Sequence, residues 1–257
     1  MKCCNIEKPV GLHEVCEVVE NVVKNAQVYK KCGLKPNHLL LNLDPGSGRT
    51  TLVEYIKNMF KATNVLGFKS GIDDYIEFEL DGTLQQMRTV FSEIDSAAVY
   101  ANEFKDLIAI GISEIANHLN EVQYTEFIAK MKSVCERALV VFFVHSIPSK
   151  NEERLIEKIT NSIKNVEKVN VSKYTTEELA CITEKVINEH GVNIEDYDEF
   201  HNLLTDVVGL YKVSCVNDAV VLANTLIKLA DFSSFIPHIT NKELETIIVE
   251  RKERGQV

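Results

Sequence analysis

The sequence predicts an α/β fold: a mostly parallel sheet flanked by helices, followed by a small all-helical domain. Three observations predict it. Apolar strand-like runs alternate with helix-period segments from residue 38 to 171. Such alternation implies crossover connections, hence a parallel sheet covered on both faces. A glycine-bearing turn, "DPGSG", stands between the first of those strands and the helix after it. Beyond residue 174 helices follow one another without strands. That change of texture places a boundary near 173, giving an α/β domain over 1–173 and a helical domain over 174–257.

The elements follow in order. Over 11–32 the apolar residues Leu12, Val15, Val19, Val22, Val23 and Ala26 recur at helical spacing. Gly33 stands where a C′ glycine would end that helix, and Pro36 follows. "HLLLNL" (38–43) reads as a short buried strand, and 49–62 as a helix with Leu52, Tyr55, Ile56 and Met59 inward. "NVLGF" (64–68) is a strand-like run. "DYIEFELD" (74–81) alternates, with Ile76, Phe78 and Leu80 on one face. A helix over 83–98, the strand "DLIAIGI" (106–112) and one long helix over 114–138 come next. "LVVFFVHS" (139–146) is the most apolar strand; a helix over 151–163 and the strand "EKVNV" (167–171) complete the series. Thr175 and Glu178 form a capping box that opens the helical part.

The 257 residues are 45% hydrophobic and 26% charged, enough for a sizeable core. A net charge of −10 argues against nucleic acid or an anionic membrane as partner, because both need basic patches. The longest apolar run, 138–144, is far too short to span a bilayer. "MKCCNIEKPV" lacks the apolar segment of a secretory signal, so a cytoplasmic location is expected. The seven cysteines, Cys3, Cys4, Cys16, Cys32, Cys135, Cys181 and Cys215, are odd in number and irregularly spaced. Most lie in apolar runs, which suits small buried hydrophobes in a reducing compartment. Cys3 and Cys4 do not make a zinc-type C-x₂-C pair, and no two histidines have metal spacing.

The chemistry-bearing stretch is "NLDPGSGRTTL" (42–52). A phosphate-binding loop reads G-x-x-x-x-G-K-[ST] between a strand and a helix. Gly46, Gly48 and Thr50 match; Leu43 replaces the first glycine and Arg49 the lysine. The glycines let backbone N–H groups converge on phosphate oxygens. The helix that begins near Arg49 aims its dipole at the same anion. Thr50 supplies a hydroxyl at the Mg²⁺ position. Arginine offers a wide fork where lysine offers a point charge, and Asp44 adds a negative charge at the mouth.

The segment from Val10 to Leu52 resembles the AAA-type P-loop ATPases, with Gly11-Leu12 opening a helix and Tyr29, Gly33 and Pro36 before the strand that enters the loop. The resemblance extends to about residue 230. It implies a P-loop NTPase sheet with a helical lid domain, ATP or ADP and Mg²⁺ as cofactors, and an adenine lying against Gly11 and Leu12. Carried over position by position, the binding set is Gly11, Leu12, Asp44, Pro45, Gly46, Ser47, Gly48, Arg49, Thr50, Thr51, Ser113 and Ser146, with Thr50 on the metal. The family's Mg²⁺ strand ends in Asp-Glu; here Ser113 replaces the aspartate and Glu114 keeps the glutamate, the one candidate catalytic residue. Glu114 also suits a helix N-terminus, where the dipole favours a carboxylate. The sensing strand's asparagine is Ser146, preceded by His145, which reads as a structural histidine. The family's arginine finger has no match: Arg154, the single arginine in 147–170, reads as an intrahelical partner of its neighbouring glutamates.

Four parts of the reaction machinery are thus altered together. Each group that stabilises transferred charge is worth roughly 2.7–4 kcal/mol of barrier, so the expectation is a divergent AAA-type protein with weak or lost hydrolysis, acting as an interaction or regulatory module. The alternative is an active ATPase that remodels a partner. A P-loop small-molecule kinase fits less well, since such enzymes close an arginine-rich lid and the C-terminal helices hold no arginine before Arg251. Expected partners are nucleotide and another protein or further copies of the chain. The acidic run 194–200 reads as a solvated helix face.

Overall fold

The computed structural model describes residues 6–32, 36–63, 75–79, 89, 92, 107–136, 138–233 and 236–253. The strand expected at 64–68 lies outside these residues, as does the helix expected over 83–98 except at 89 and 92. The chain forms two compact units: Met1–Pro45 with Arg49–Val171, and Gly46–Gly48 with Ser172–Val257.

The first unit is built on a five-stranded, all-parallel sheet. Its strands are β1 (His38–Asn42), β2 (Tyr75–Glu79), β3 (Leu107–Gly111), β4 (Leu139–Val144) and β5 (Val166–Asn170), in the order β2-β3-β4-β1-β5. β1, β3 and β4 are buried at every residue, as strands covered on both faces must be. That is why they read in the sequence as continuous apolar runs rather than alternating ones. β5 is an edge strand, and its only buried residue is Val169.

Successive strand residues face opposite sides of a sheet. One face of this sheet carries Leu40, Ile108, Ile110, Val140 and Phe142. They form a single cluster with Tyr124, Phe127, Met131 and Val134 of α4 (Glu121–Cys135) and with Leu155, Ile156 and Ile159 of α5 (Lys150–Ser162). On the N-terminal side, α1 (His13–Lys31) packs against α2 (Arg49–Thr63). α1 buries Val15, Cys16, Val19, Val22, Val23 and Ala26, the stripe its sequence spacing specifies.

The long helix expected over 114–138 is two helices. α3 (Ser113–Ala116) is a single turn, and α4 starts afresh at Glu121. Asn120 causes the break: its side chain accepts from Gln123 N at 3.0 Å while the Gln123 side chain accepts from Asn120 N at 2.9 Å. This reciprocal cap ends one helix and begins another. Arg154 also differs from expectation. It pairs with Glu121 on α4 and lies over the Tyr124 ring at 5.7 Å, instead of bonding along its own helix. The cysteines divide as well: Cys16 and Cys135 are buried, whereas Cys32 is exposed.

The second unit holds α6 (Thr176–Glu189), α7 (Tyr197–Leu210), α8 (Val216–Ile227) and α9 (Asn241–Glu253) around a core that includes Leu179, Phe200, Leu204, Leu222 and Leu244. It is not free of strands, contrary to expectation: β6 (Asn193–Ile194) pairs in parallel with β7 (His238–Ile239). Two-residue strands are too short to carry a readable period. Among the described residues, no helix is long and apolar enough to cross a membrane.

Candidate nucleotide-binding site

In open parallel sheets, ligands bind beyond the carboxyl ends of the strands, where the strand order reverses. β1, β3 and β4 are neighbours and point the same way, so their exits share one edge. Their register continues past the strands: Leu43 N donates to Val144 O and Ile112 N to Phe143 O, both at 2.9 Å. Asp44, Ser113, His145 and Ser146 are therefore delivered to the same edge by the pairing itself.

Gly46 and Gly48 have φ of +78° and +84°, the left-handed region that glycine enters without steric cost. Thr50 sits in the first turn of α2, where N–H groups lack helical partners. Within the second unit, Tyr174 Oη donates to Ser47 O at 3.0 Å and Asn217 N to Gly46 O at 2.9 Å. A Cβ on Gly46 would stand 2.6 Å from Asn217 Nδ2. The Gly46→Ala substitution is expected to destabilise the protein by about 1 kcal/mol, since a side chain in this backbone region costs that much. Chemical denaturation of the variant checks it; unchanged stability would contradict the loop conformation.

Arg49 is 5% exposed. Its Nε donates to Leu43 O at 2.7 Å, and its guanidinium lies over the Phe143 ring at 5.2 Å from the centroid. The side chain that replaces the loop lysine is thus directed at the loop's own first carbonyl and at an aromatic face on β4.

Asp44 is bound at both oxygens. Ser146 N donates to Oδ1 at 3.0 Å and Ser146 Oγ to Oδ2 at 2.6 Å. Burial pushes its pKa up, but the Ser146 hydroxyl and N–H, helped by His145 and Arg49, hold it below the ordinary carboxylate value. Asp44 is therefore ionised at neutral pH, and Ser146 spends its hydroxyl on it.

Ser113 is 1% exposed at the start of α3. Glu114 follows it on the same turn, and its side chain lies outside the described residues. Behind Ser113 stands Glu152, 2% exposed at the third position of α5. It accepts from Ser149 N at 2.8 Å and from His145 N at 3.3 Å, and its Oε1 lies 3.1 Å from His145 Nδ1. Burial raises its pKa; Ser149, Ser113 and His145 outweigh that and lower it. The Ser113 hydroxyl assists by proximity, without a full hydrogen bond. Glu152 was not singled out in the sequence, although "SKNE" (149–152) is a capping-box pattern that marks it. Gly11, with φ of +73°, and Leu12, 2% exposed, precede α1, and the Leu12 carbonyl accepts from Cys16 N at 2.9 Å.

The donor set can be weighed against the expected cofactors. Two left-handed glycines ahead of a helix N-terminus fit a polyphosphate. The Mg²⁺ position fits poorly, because hard cations need charged oxygen: position 113 carries a buried hydroxyl, and the Asp44 carboxylate is engaged by Ser146.

The sequence matches no known protein family and no characterised protein. Its fold does match solved structures. It is similar to C. elegans PCH-2, with a TM-score of 0.60 and 16% identity over 98% of this chain and 73% of that one. A variant of RuvB from Thermotoga maritima gives 0.58 and 14% identity over 93% and 68%. A DNA replication initiation factor gives 0.56 and 18% identity over 97% and 66%. The fold is that of the AAA-type P-loop ATPases. Identities this low carry the fold and nothing about activity.

Proposed function

We propose that the chain is a divergent AAA-type ATP-binding protein whose hydrolysis is weak or lost and which serves as an interaction or regulatory module. The observation that carries this reading is Arg49: a buried guanidinium donating to Leu43 O and stacked on Phe143 is poorly placed to neutralise charge on a transferring phosphoryl group. Ser113 in the Mg²⁺-site position supports the same conclusion, because phosphoryl transfer depends on positioning and charge stabilisation. When bound, the nucleotide would be held by backbone N–H groups of Gly46–Arg49 and the Thr50 hydroxyl. A second reading, an active ATPase that remodels a protein partner, draws support from the left-handed Gly46 and Gly48 and from Glu114 after β3.

Thermal unfolding with ATP or ADP and Mg²⁺, joined to single-turnover phosphate release, separates the two readings. A native-state ligand stabilises by mass action, so Tm is expected to rise while no phosphate appears above the buffer control. Turnover that is abolished in the Glu114→Gln variant would overturn the proposal in favour of the active enzyme. An unchanged Tm would remove nucleotide binding from it.

A further inference from the structure

Donors of three different kinds meet between α6 and α7 in the second unit. Cys181 and Glu184 are three residues apart on α6 and so share a face; Tyr197 and His201 are four apart on α7 and do likewise. The Cys181 thiol, a Glu184 carboxylate oxygen and a His201 ring nitrogen all lie within 4.8 Å of one another. Glu184 is 1% exposed. Its oxygens are divided: Oε1 lies 2.8 Å from His201 Nδ1, and Oε2 accepts from Tyr197 Oη at 2.7 Å. Those two contacts already satisfy the buried carboxylate, so the thiol is not needed to balance it.

We infer that Cys181, Glu184 and His201 form a Zn²⁺-binding site. Sulfur and imidazole beside one carboxylate select a borderline cation; Mg²⁺ and Ca²⁺ prefer oxygen throughout. Donors at about 2.0–2.3 Å from one zinc ion stand roughly 3.5 Å apart, so the 2.8 Å His201–Glu184 pair opens and the wider-spaced donors close, each by side-chain movement of up to about an ångström. The ion takes the place of the thiol proton, which leaves to water. The Nδ1 proton that faces Glu184 leaves to water as Nε2 takes one up, so that His201 presents its Nδ1 lone pair to the ion. Tyr197 stays on Oε2 and orients the carboxylate, as outer partners of zinc ligands do. The His201 side chain is 28% exposed and Cys181 is half-buried, which leaves a route from solvent. Sequence inspection misses the site because its ligands come from two helices and share no short spacing.

Cobalt(II) is the probe, titrated into the whole chain and read by its thiolate-to-cobalt charge-transfer absorption, with zinc as competitor. The band is expected in the wild type and in a variant with Cys3, Cys4 and Cys32 changed to serine. It is expected to vanish in Cys181→Ser and in His201→Gln, each checked for folding by circular dichroism so that either one decides if the other fails to fold. Zinc is expected to bleach the band and raise Tm in the wild type and in the Cys3, Cys4 and Cys32 variant, and to leave Tm unchanged in Cys181→Ser and His201→Gln. Tyr197→Phe is expected to weaken the metal about 10- to 100-fold. No band in the wild type, or an undiminished band in folded Cys181→Ser, would overturn the assignment.

Discussion

Replacing Glu152 with alanine is expected to destabilise the first unit by about 3 kcal/mol, because removing a buried acceptor leaves its donors unpaired at about 1–3 kcal/mol each. Two backbone N–H groups, of Ser149 and His145, lose this acceptor, and the His145 ring loses its contact with the carboxylate. The site is 2% exposed, so water does not replace the carboxylate fully. The pH dependence has a definite sign. The pKa of Glu152 is lower in the folded protein than its ordinary value of 4.5. Its contribution is therefore complete above the unfolded value and is lost as pH falls through the folded one. Urea unfolding at neutral pH should show the full gap between wild type and variant, and the gap should narrow below pH 4.5. Equal stabilities at neutral pH would refute the role given to this side chain.

Asp44→Asn is expected to tighten ATP about tenfold, near 1.4 kcal/mol. The change is isosteric, and the amide oxygen still accepts from Ser146 N, so the loop keeps its shape. What disappears is a full negative charge two residues before the phosphate cradle. Like charges close to a protein surface repel by a few kcal/mol at about 4 Å and an effective dielectric near 20, and by less at longer range. Titration of a fluorescent ATP analogue at low salt measures the gain, which added salt should shrink. Equal affinity in variant and wild type would show that the Asp44 charge is not felt by the nucleotide.

Much of this fold was legible because buried parallel strands have an unmistakable composition. "HLLLN" and "LVVFFV" announce β1 and β4, and "PGSG" between strand and helix marks the loop. The break at Asn120 was hidden because apolar residues recur at helical steps on either side of it, Ile115 to Leu119 and Tyr124 to Phe127, with a single five-residue step between the two pairs. Only the local cap, Asn120 with Gln123, reveals it. The site's wiring was harder to foresee. Asp44 and Ser146 are 102 residues apart, and nothing local to either predicts the pair. Arg49 was read as a modified phosphate ligand, whereas its surroundings, the Leu43 carbonyl and the Phe143 ring, are set by strand register. Replaced residues could be named from the sequence; the new contacts they make required three dimensions.

The strand order has a consequence for biosynthesis. β1 sits between β4 and β5, yet it leaves the ribosome about a hundred residues before either neighbour. Until then both of its hydrogen-bonding edges are open, on a segment as sticky as "HLLLNL". Long-range parallel pairing is slow to form, and unpaired apolar edges invite aggregation. The nascent chain should therefore depend on chaperone protection until Asn170 emerges, and a polypeptide halted before β4 should precipitate.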